Sequence, residues 1–219
     1  MAKKSIEQEK KGETLFVNTS TGTAMTGNDQ LLVIAVQNAD KILVQKALDM
    51  GANVNCRGEY QFTPLMYACQ KRDVELLKVI LGKGADVDAR NAKGWTPIII
   101  AAKYDFAEAI KILVLKGADV NAVNASGATA LMMASQEGKI NAVNALLESK
   151  ADTNLQDSRG ITAVMLACVD GHNNVVKVLV KKGADVNLQS SAGHTAMEIA
   201  KSTKHEDTVE LLKKLGAKE

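Results

Sequence analysis

The sequence predicts an all-α solenoid, in which helix-turn-helix units stack and are joined by β-hairpin-like loops. Three observations predict it. Ala52, Ala85, Ala118, Ala151, Ala184 and Ala217 follow one another at a step of 33 residues. Two further columns keep that step: Thr63, Thr96, Thr129, Thr162 and Thr195, and Ala35, Ala68, Ala101, Ala134, Ala167 and Ala200. Self-similarity at a fixed period of this length marks a repeat architecture. The third observation is an aromatic content of only 3% beside 46% hydrophobic residues. A core of Ala, Leu, Val and Ile suits short helices packed closely, not a compact core built on large rings.

Each unit reads as two helices and a turn. Asn91 to Gly94 is a turn cluster, and Thr96-Pro97 opens a helix: Thr96 is placed to cap it, and Pro97 at the first helical position costs no hydrogen bond. The first helix runs through Ala101-Ala102. The second carries Ile110, Leu113 and Val114 on one face, the i, i+3, i+4 spacing of a buried stripe. Gly117 ends it where a positive φ is wanted. The stripe recurs as Val44, Ala47, Leu48; Leu77, Ile80, Leu81; Val143, Leu146, Leu147; and Val176, Leu179, Val180. One helix pair cannot cover such faces alone, so neighbours must stack. The last unit reads Val209, Leu212, Lys213, and a Lys in that stripe means a face turned to water. The expected organisation is a leader over 1–27, read from its Thr, Ser and Gly content as flexible, and a repeat domain over 28–219. The domain divides into an N-terminal cap 28–56, units 57–89, 90–122, 123–155 and 156–188, and a C-terminal cap 189–219. An alternative for the leader is that Phe16 folds back onto the first helix pair.

These residues resemble the ankyrin repeat family. Thr63-Pro64-Leu65 and Thr96-Pro97-Ile98 match its Thr-Pro-Leu opening, and Gly171-His172 its inter-helix Gly-His. Gly84-Ala85-Asp86-Val87-Asp88, Gly117-Ala118-Asp119-Val120-Asn121 and Gly183-Ala184-Asp185-Val186-Asn187 match its hairpin lead. The resemblance covers roughly Asn28 to Ala217. Several positions depart from it. The His that follows Thr-Pro-Leu is replaced by Met66, Ile99, Met132, Met165 and Glu198, so its hydrogen bonds must be replaced or lost. Ala130, Ala163 and Ala196 stand for Pro, Gln61 for a hairpin Gly, Thr153 for Val, and Lys150 for the helix-ending Gly. These changes predict that the first hairpin differs and that Val123 to Leu155 is the weakest unit.

Net charge is +2, from 27 basic and 25 acidic residues, too balanced to imply nucleic acid or an anionic membrane. No apolar run is long enough to span a bilayer, and Met1-Ala2-Lys3-Lys4 is followed by the polar run Ser5 to Glu13, not an apolar signal core. A cytoplasmic protein is expected, with a mature secreted protein as the alternative. Three cysteines, Cys56, Cys69 and Cys168, do not suggest a disulfide framework. Cys69 and Cys168 share one column three repeats apart, roughly 30 Å at ~10 Å per stacked pair. A reduced monomer follows, in which only Cys56, at a hairpin position, is expected to be exposed and reactive. His172, His194 and His205 lie at no metal-ligand spacing, no phosphate-binding Gly-rich loop is present, and no nucleophile-base pair is evident. No cofactor, no metal and no catalysis are expected.

What remains is surface. The resemblance implies that hairpin tips and first helices line a concave groove that holds a partner protein. By register, the partner-binding candidates are Tyr60, Phe62, Arg90, Lys93, Trp95, Lys103, Tyr104, Arg159 and Ile161. The seven aromatics of the chain are few, yet four of them, Tyr60, Phe62, Trp95 and Tyr104, fall on groove positions of the first two full units. Tyr and Trp are enriched in binding hot spots. Phe62 and Trp95 either anchor a partner or pack on neighbouring hairpins. Residues 90–122 carry the largest basic excess of any unit, which favours a partner with acidic groups around an apolar anchor. An adaptor or inhibitor is expected; the alternatives are a structural spacer or self-associating scaffold, and an enzyme with an unrecognised site.

Overall fold

The computed structural model describes residues 6–10, 13–17 and 24–218 of the chain. It divides into two compact units, 1–97 and 98–219.

The first unit opens with an antiparallel sheet of β1 (Ile6–Lys10), β2 (Glu13–Val17) and β3 (Ala24–Thr26), in the order β1-β2-β3. Ile6 pairs with Val17, and Leu15 with Thr26. These strands are an addition to the all-α expectation. The flexible leader falls partly on residues 1–5, 11–12 and 18–23, which lie outside the described residues, as does the placement of the Phe16 side chain. Thr26 ends the sheet and starts α1 (Gly27–Gln37). Its hydroxyl accepts the Asp29 amide at 3.1 Å, and Asp29 returns the bond to the Thr26 amide at 3.0 Å. The second Asp29 oxygen accepts the Asn53 amide at 2.7 Å, so this buried carboxylate is fully engaged. There follow α2 (Lys41–Asp49), a single 3-10 turn over Glu59–Gln61, α3 (Pro64–Lys71) and α4 (Val74–Gly82).

Helix α5 (Pro97–Lys103) carries the chain into the second unit. That unit continues with α6 (Ala107–Leu115), α7 (Ala130–Gln136), α8 (Ile140–Glu148), α9 (Ala163–Val169), α10 (Asn173–Lys181), α11 (Ala196–Ser202) and α12 (Glu206–Lys214). First helices pack on first helices, α7 on α9 and α9 on α11; second helices pack likewise, α6 on α8 and α10 on both α8 and α12. The sequence stripes supply the core: Ile110, Leu113, Val143, Leu146, Val176, Leu179 and Leu212 are fully buried, while Lys213 is exposed.

The threonine column explains where first helices begin. The hydroxyls of Thr63, Thr129, Thr162 and Thr195 accept the amides of Met66, Met132, Met165 and Glu198 at 3.3, 3.2, 3.4 and 3.3 Å. Thr96 breaks the pattern: its Oγ1 is buried with no hydrogen-bond partner, so the cap expected there is not made. The other four bonds sit at the long limit for N–H···O, and a slight widening of the turn is enough to lose one. Two of the residues in place of the expected His return a bond to the cap. Met132 Sδ lies 3.5 Å from the Thr129 amide, and the Glu198 carboxylate accepts the Thr195 amide at 2.7 Å.

A second set of bonds ties neighbouring repeats together within each compact unit. Asn55 Oδ1 accepts the Asp86 amide in the first unit. In the second, Asn121, Asn154 and Asn187 accept from Asp152, Asp185 and Lys218, all at 2.8–2.9 Å.

Left-handed backbone recurs at fixed places. Gly51, Gly84, Gly117, Gly183 and Gly216 leave second helices with φ between 83° and 98°, and Lys150, in the same column, takes φ 66°. The side chain therefore bears the strain that glycine avoids. Lys150→Gly should stabilise the protein by about 1 kcal/mol, a rise of roughly 2–4 °C in melting midpoint. Native-state hydrogen exchange checks the premise: residues 123–155 should be the least protected repeat, and finding them the best protected contradicts it.

Candidate partner-binding surface

In four of the hairpins the shape is set by one side chain. Asn91 Oδ1 accepts the amides of Lys93 and Trp95, both at 2.9 Å. Asn124 Oδ1 does the same for Ser126 and Ala128, and Asp157 Oδ1 for Arg159 and Ile161, again at 2.9 Å. Ser190 Oγ makes a single such bond, to the His194 amide at 3.2 Å. A short polar side chain that bonds its own backbone two residues on is a built-in turn former. These keystone residues were missed as functional positions, although Asn91, Asn124, Asp157 and Ser190 stand at the same step of 33 as the alanines.

The first hairpin lacks a keystone. Gly58 occupies its place, because a Cβ there would sit 3.1 Å from the Tyr67 hydroxyl and 3.3 Å from Val33. The 3-10 turn closes the loop instead, with Tyr60 at φ 54° and Gln61 at φ 62°. The expected difference in this hairpin is therefore present as two consecutive left-handed residues. Tyr60 is 70% exposed. Phe62 is half-buried, its ring 5.2 Å from that of Tyr67 and tilted by 43°. Phe62 thus packs within its own repeat.

The first two hairpin tips are joined edge to edge. The Ala92 amide donates to the Tyr60 carbonyl at 2.9 Å. Arg57 Nη1 donates to the carbonyls of Gln61 at 3.3 Å and Arg90 at 2.6 Å. Tyr60, Arg90 and Lys93 are therefore brought together on one exposed edge, with half-buried Trp95 two residues beyond Lys93. Gln156 makes the same pair of bonds in the second unit, from Nε2 to Gly160 at 2.7 Å and Gln189 at 2.8 Å. Neither residue was singled out by the sequence reading, though Arg57 and Gln156 share one repeat position.

The remaining candidates lie in the second unit on different elements. Lys103 ends α5, half-buried, and its ammonium lies 3.6 Å from Glu137; Tyr104 follows it, also half-buried. Arg159 is exposed on a hairpin tip, and Ile161 is half-buried on the same hairpin. Asp157 fixes both, because its second oxygen takes Arg159 Nε at 3.1 Å and Nη2 at 2.9 Å. Burial pushes the Asp157 carboxyl up, but the Ile161 amide and the Arg159 guanidinium and amide outweigh it, holding the group below the usual carboxylate range.

The expectation that Cys56 is exposed is corrected. Cys56 is buried, with Sγ 3.8 Å from the Asp29 carbonyl, and burial beside the Asp29 carboxylate pushes its thiol up to about 12. This repeat position is covered in the next two repeats too, at Ala89 and Ala122, and in the first the bonds of Asn53 and Cys56 to Asp29 hold the segment against α1. Cys168 is pushed up to about 12 and Cys69 is raised as well, both by burial. Thiolate chemistry is suppressed at all three. His172 has a structural role: Nε2 donates to the Gln136 carbonyl at 3.1 Å, and a Cβ on Gly138 would meet its ring at 2.7 Å. His205 repeats this with the Val169 carbonyl and Gly171. Among the described residues, no group of three His, Cys, Asp or Glu could hold a metal ion, and no helix is long and apolar enough to cross a membrane.

The model of ankyrin repeats (three copies) matches the chain over residues 11–91, 72–157 and 131–219. These matches overlap and span most of the sequence, beginning ahead of Asn28, and the chain belongs to the ankyrin repeat family. Ankyrin repeats are in general protein-protein interaction modules, typically without enzymatic activity. No individual curated protein was found to match.

The Asp157 keystone gives a direct test of how the second-unit hairpin is held. Asp157→Ala should cost about 2 kcal/mol, since it removes the acceptor of two backbone amides. Asp157→Asn should cost far less, because Asn91 and Asn124 already show an amide oxygen filling this role. With its folded pKa depressed, Asp157 contributes stability above its unfolded value of roughly 3.9, and that contribution is lost as pH falls through the folded value. Thermal unfolding of wild type and Asp157→Asn between pH 7 and pH 2 should converge at the acid end; curves that stay parallel would assign the depression elsewhere.

Proposed function

We propose that this chain is a protein-binding module, an adaptor or inhibitor, that holds its partner on hairpin tips and first helices. Its principal contact surface is the edge formed by Tyr60, Phe62, Arg90, Lys93 and Trp95. The observation that carries this reading is Tyr60: a tyrosine 70% exposed on a tip bonded to the next tip, beside exposed Arg90 and Lys93. A large apolar ring in that setting is costly to leave in water and gains on burial against a partner. Lys103 and Tyr104, and separately Arg159 and Ile161, are secondary contact groups in the second unit. The charge around Tyr60 favours a partner with acidic groups around an apolar anchor. The module acts as a monomer and without a cofactor, and its three buried free thiols suit the reducing cytoplasm.

Selection of displayed random peptides on the full chain provides the probe. It should enrich acidic sequences that carry an aromatic or branched apolar residue. In titration calorimetry with such a peptide, Trp95→Ala should weaken binding about thirtyfold, the effect of losing one central aromatic. His194→Ala, at the same repeat position, should change affinity by less than about twofold, with circular dichroism unchanged in both. The reverse pattern places the partner at the other end of the chain. Sedimentation that shows a self-associated species instead of a monomer supports the scaffold reading.

A further inference from the structure

We infer that the first hairpin, residues 57–62, is a strained presentation loop that gives up fold stability to hold Tyr60 ready for a partner. The inference rests on the partner-binding reading above and adds which element does the recognising and at what expense. In the other four hairpins the residue aligned with Gln61 is Gly94, Gly127, Gly160 or Gly193, each at positive φ without a Cβ. The residue aligned with Tyr60 is Lys93, Ser126, Arg159 or Ala192. Among the described residues, only the first hairpin places two side chains in succession in the left-handed region, and one of them is Tyr60, an aromatic ring 70% exposed to water. Packing explains Gly58, since Tyr67 fills the keystone's space. It does not explain Tyr60, which stays 70% exposed. Strain held at an exposed residue, where glycine would serve the fold better, is the pattern of a functional loop.

The loop is rigid as well as strained. Gly58 N donates to Phe62 at 2.9 Å, Gln61 N to Gly58 at 3.2 Å, and Phe62 N to Glu59 at 3.1 Å. Ala92 pins it from the neighbouring tip through the Tyr60 carbonyl, and Arg57, inside the loop, holds the Gln61 carbonyl and reaches across to that of Arg90. A ring held this way loses little conformational freedom when it binds. Residues 57–62 and 90–95 together contain three cations, Arg57, Arg90 and Lys93, and one carboxylate, Glu59, a net charge of +2 whichever pairs form among them. The occupant that fits is an acidic peptide segment of a partner protein, with one apolar side chain against the Tyr60 ring and carboxylates toward the cationic edge.

Two glycine variants separate this role from a structural one. Tyr60→Gly and Gln61→Gly should each raise the melting midpoint by about 2–4 °C, since each removes left-handed strain. With an acidic peptide selected as above, Tyr60→Gly should lose affinity more than tenfold, while Gln61→Gly should stay within about threefold of wild type. Tyr60→Gly that binds like wild type overturns the inference; if Trp95→Ala still weakens binding, the broader reading survives, and if it does not, both fall. A melting midpoint that fails to rise in either variant overturns the stored strain. Selection that enriches basic or uncharged peptides overturns the assigned partner class.

Discussion

No helix pair in this chain can bury its own apolar faces, and everything else in the structure follows from having to stack. The constraint is most visible in the alanine column. Ala35, Ala68, Ala101, Ala134, Ala167 and Ala200 are all fully buried. A methyl group is small enough to let one first helix pack closely on the next. Ile34 shows what happens without a preceding repeat. It is 50% exposed, whereas Tyr67 and Ile100, in the same repeat position, are 7% and 1% exposed. The apolar stripes therefore force neighbouring repeats to stack, and they leave the hairpin tips and the ends of first helices as the surface that recurs from repeat to repeat.

Stacking also settles where the polar groups go. A turn that meets an identical turn one repeat away must satisfy its amides locally or with its neighbour. Asn91, Asn124 and Asp157 do the first, and Asn55, Asn121, Asn154 and Asn187 do the second. Once amides and carbonyls are spent on these two tasks, side chains at the tips are free to vary, and recognition can be written there without disturbing the core.

Much of the fold was legible because it is periodic. The alanine and threonine columns located the helices, and Lys150 stood out as the residue in place of a helix-ending glycine, where it takes φ 66°. What periodicity could not supply was contact between unlike positions. The sheet before α1 belongs to no repeat. Cys56 was read as exposed because its column sits on a turn, but the column itself is covered: Ala89 and Ala122, at the same repeat position, are buried as well. The cap missing at Thr96 stands on the same residue pattern as the four that are made, so the pattern could not single it out. Gly138 and Gly171 look like ordinary turn glycines, yet Ala39, Arg72, Asp105 and Lys204 adopt the same backbone. The glycines are required because His172 and His205, one repeat on, lie against them. Of the candidate surface, the residues were legible but their grouping was not. It took the Arg57 and Ala92 bonds to show that the first two tips form one edge.

The central claim is that recognition is concentrated on that edge, and backbone amide chemical-shift mapping tests it most directly. On addition of a selected acidic peptide, the largest perturbations should fall on residues 57–62 and 90–95, with residues 189–203 nearly silent. Perturbations centred on 189–203, or on the outer face of α2 around Ile42 and Met50, would contradict the account.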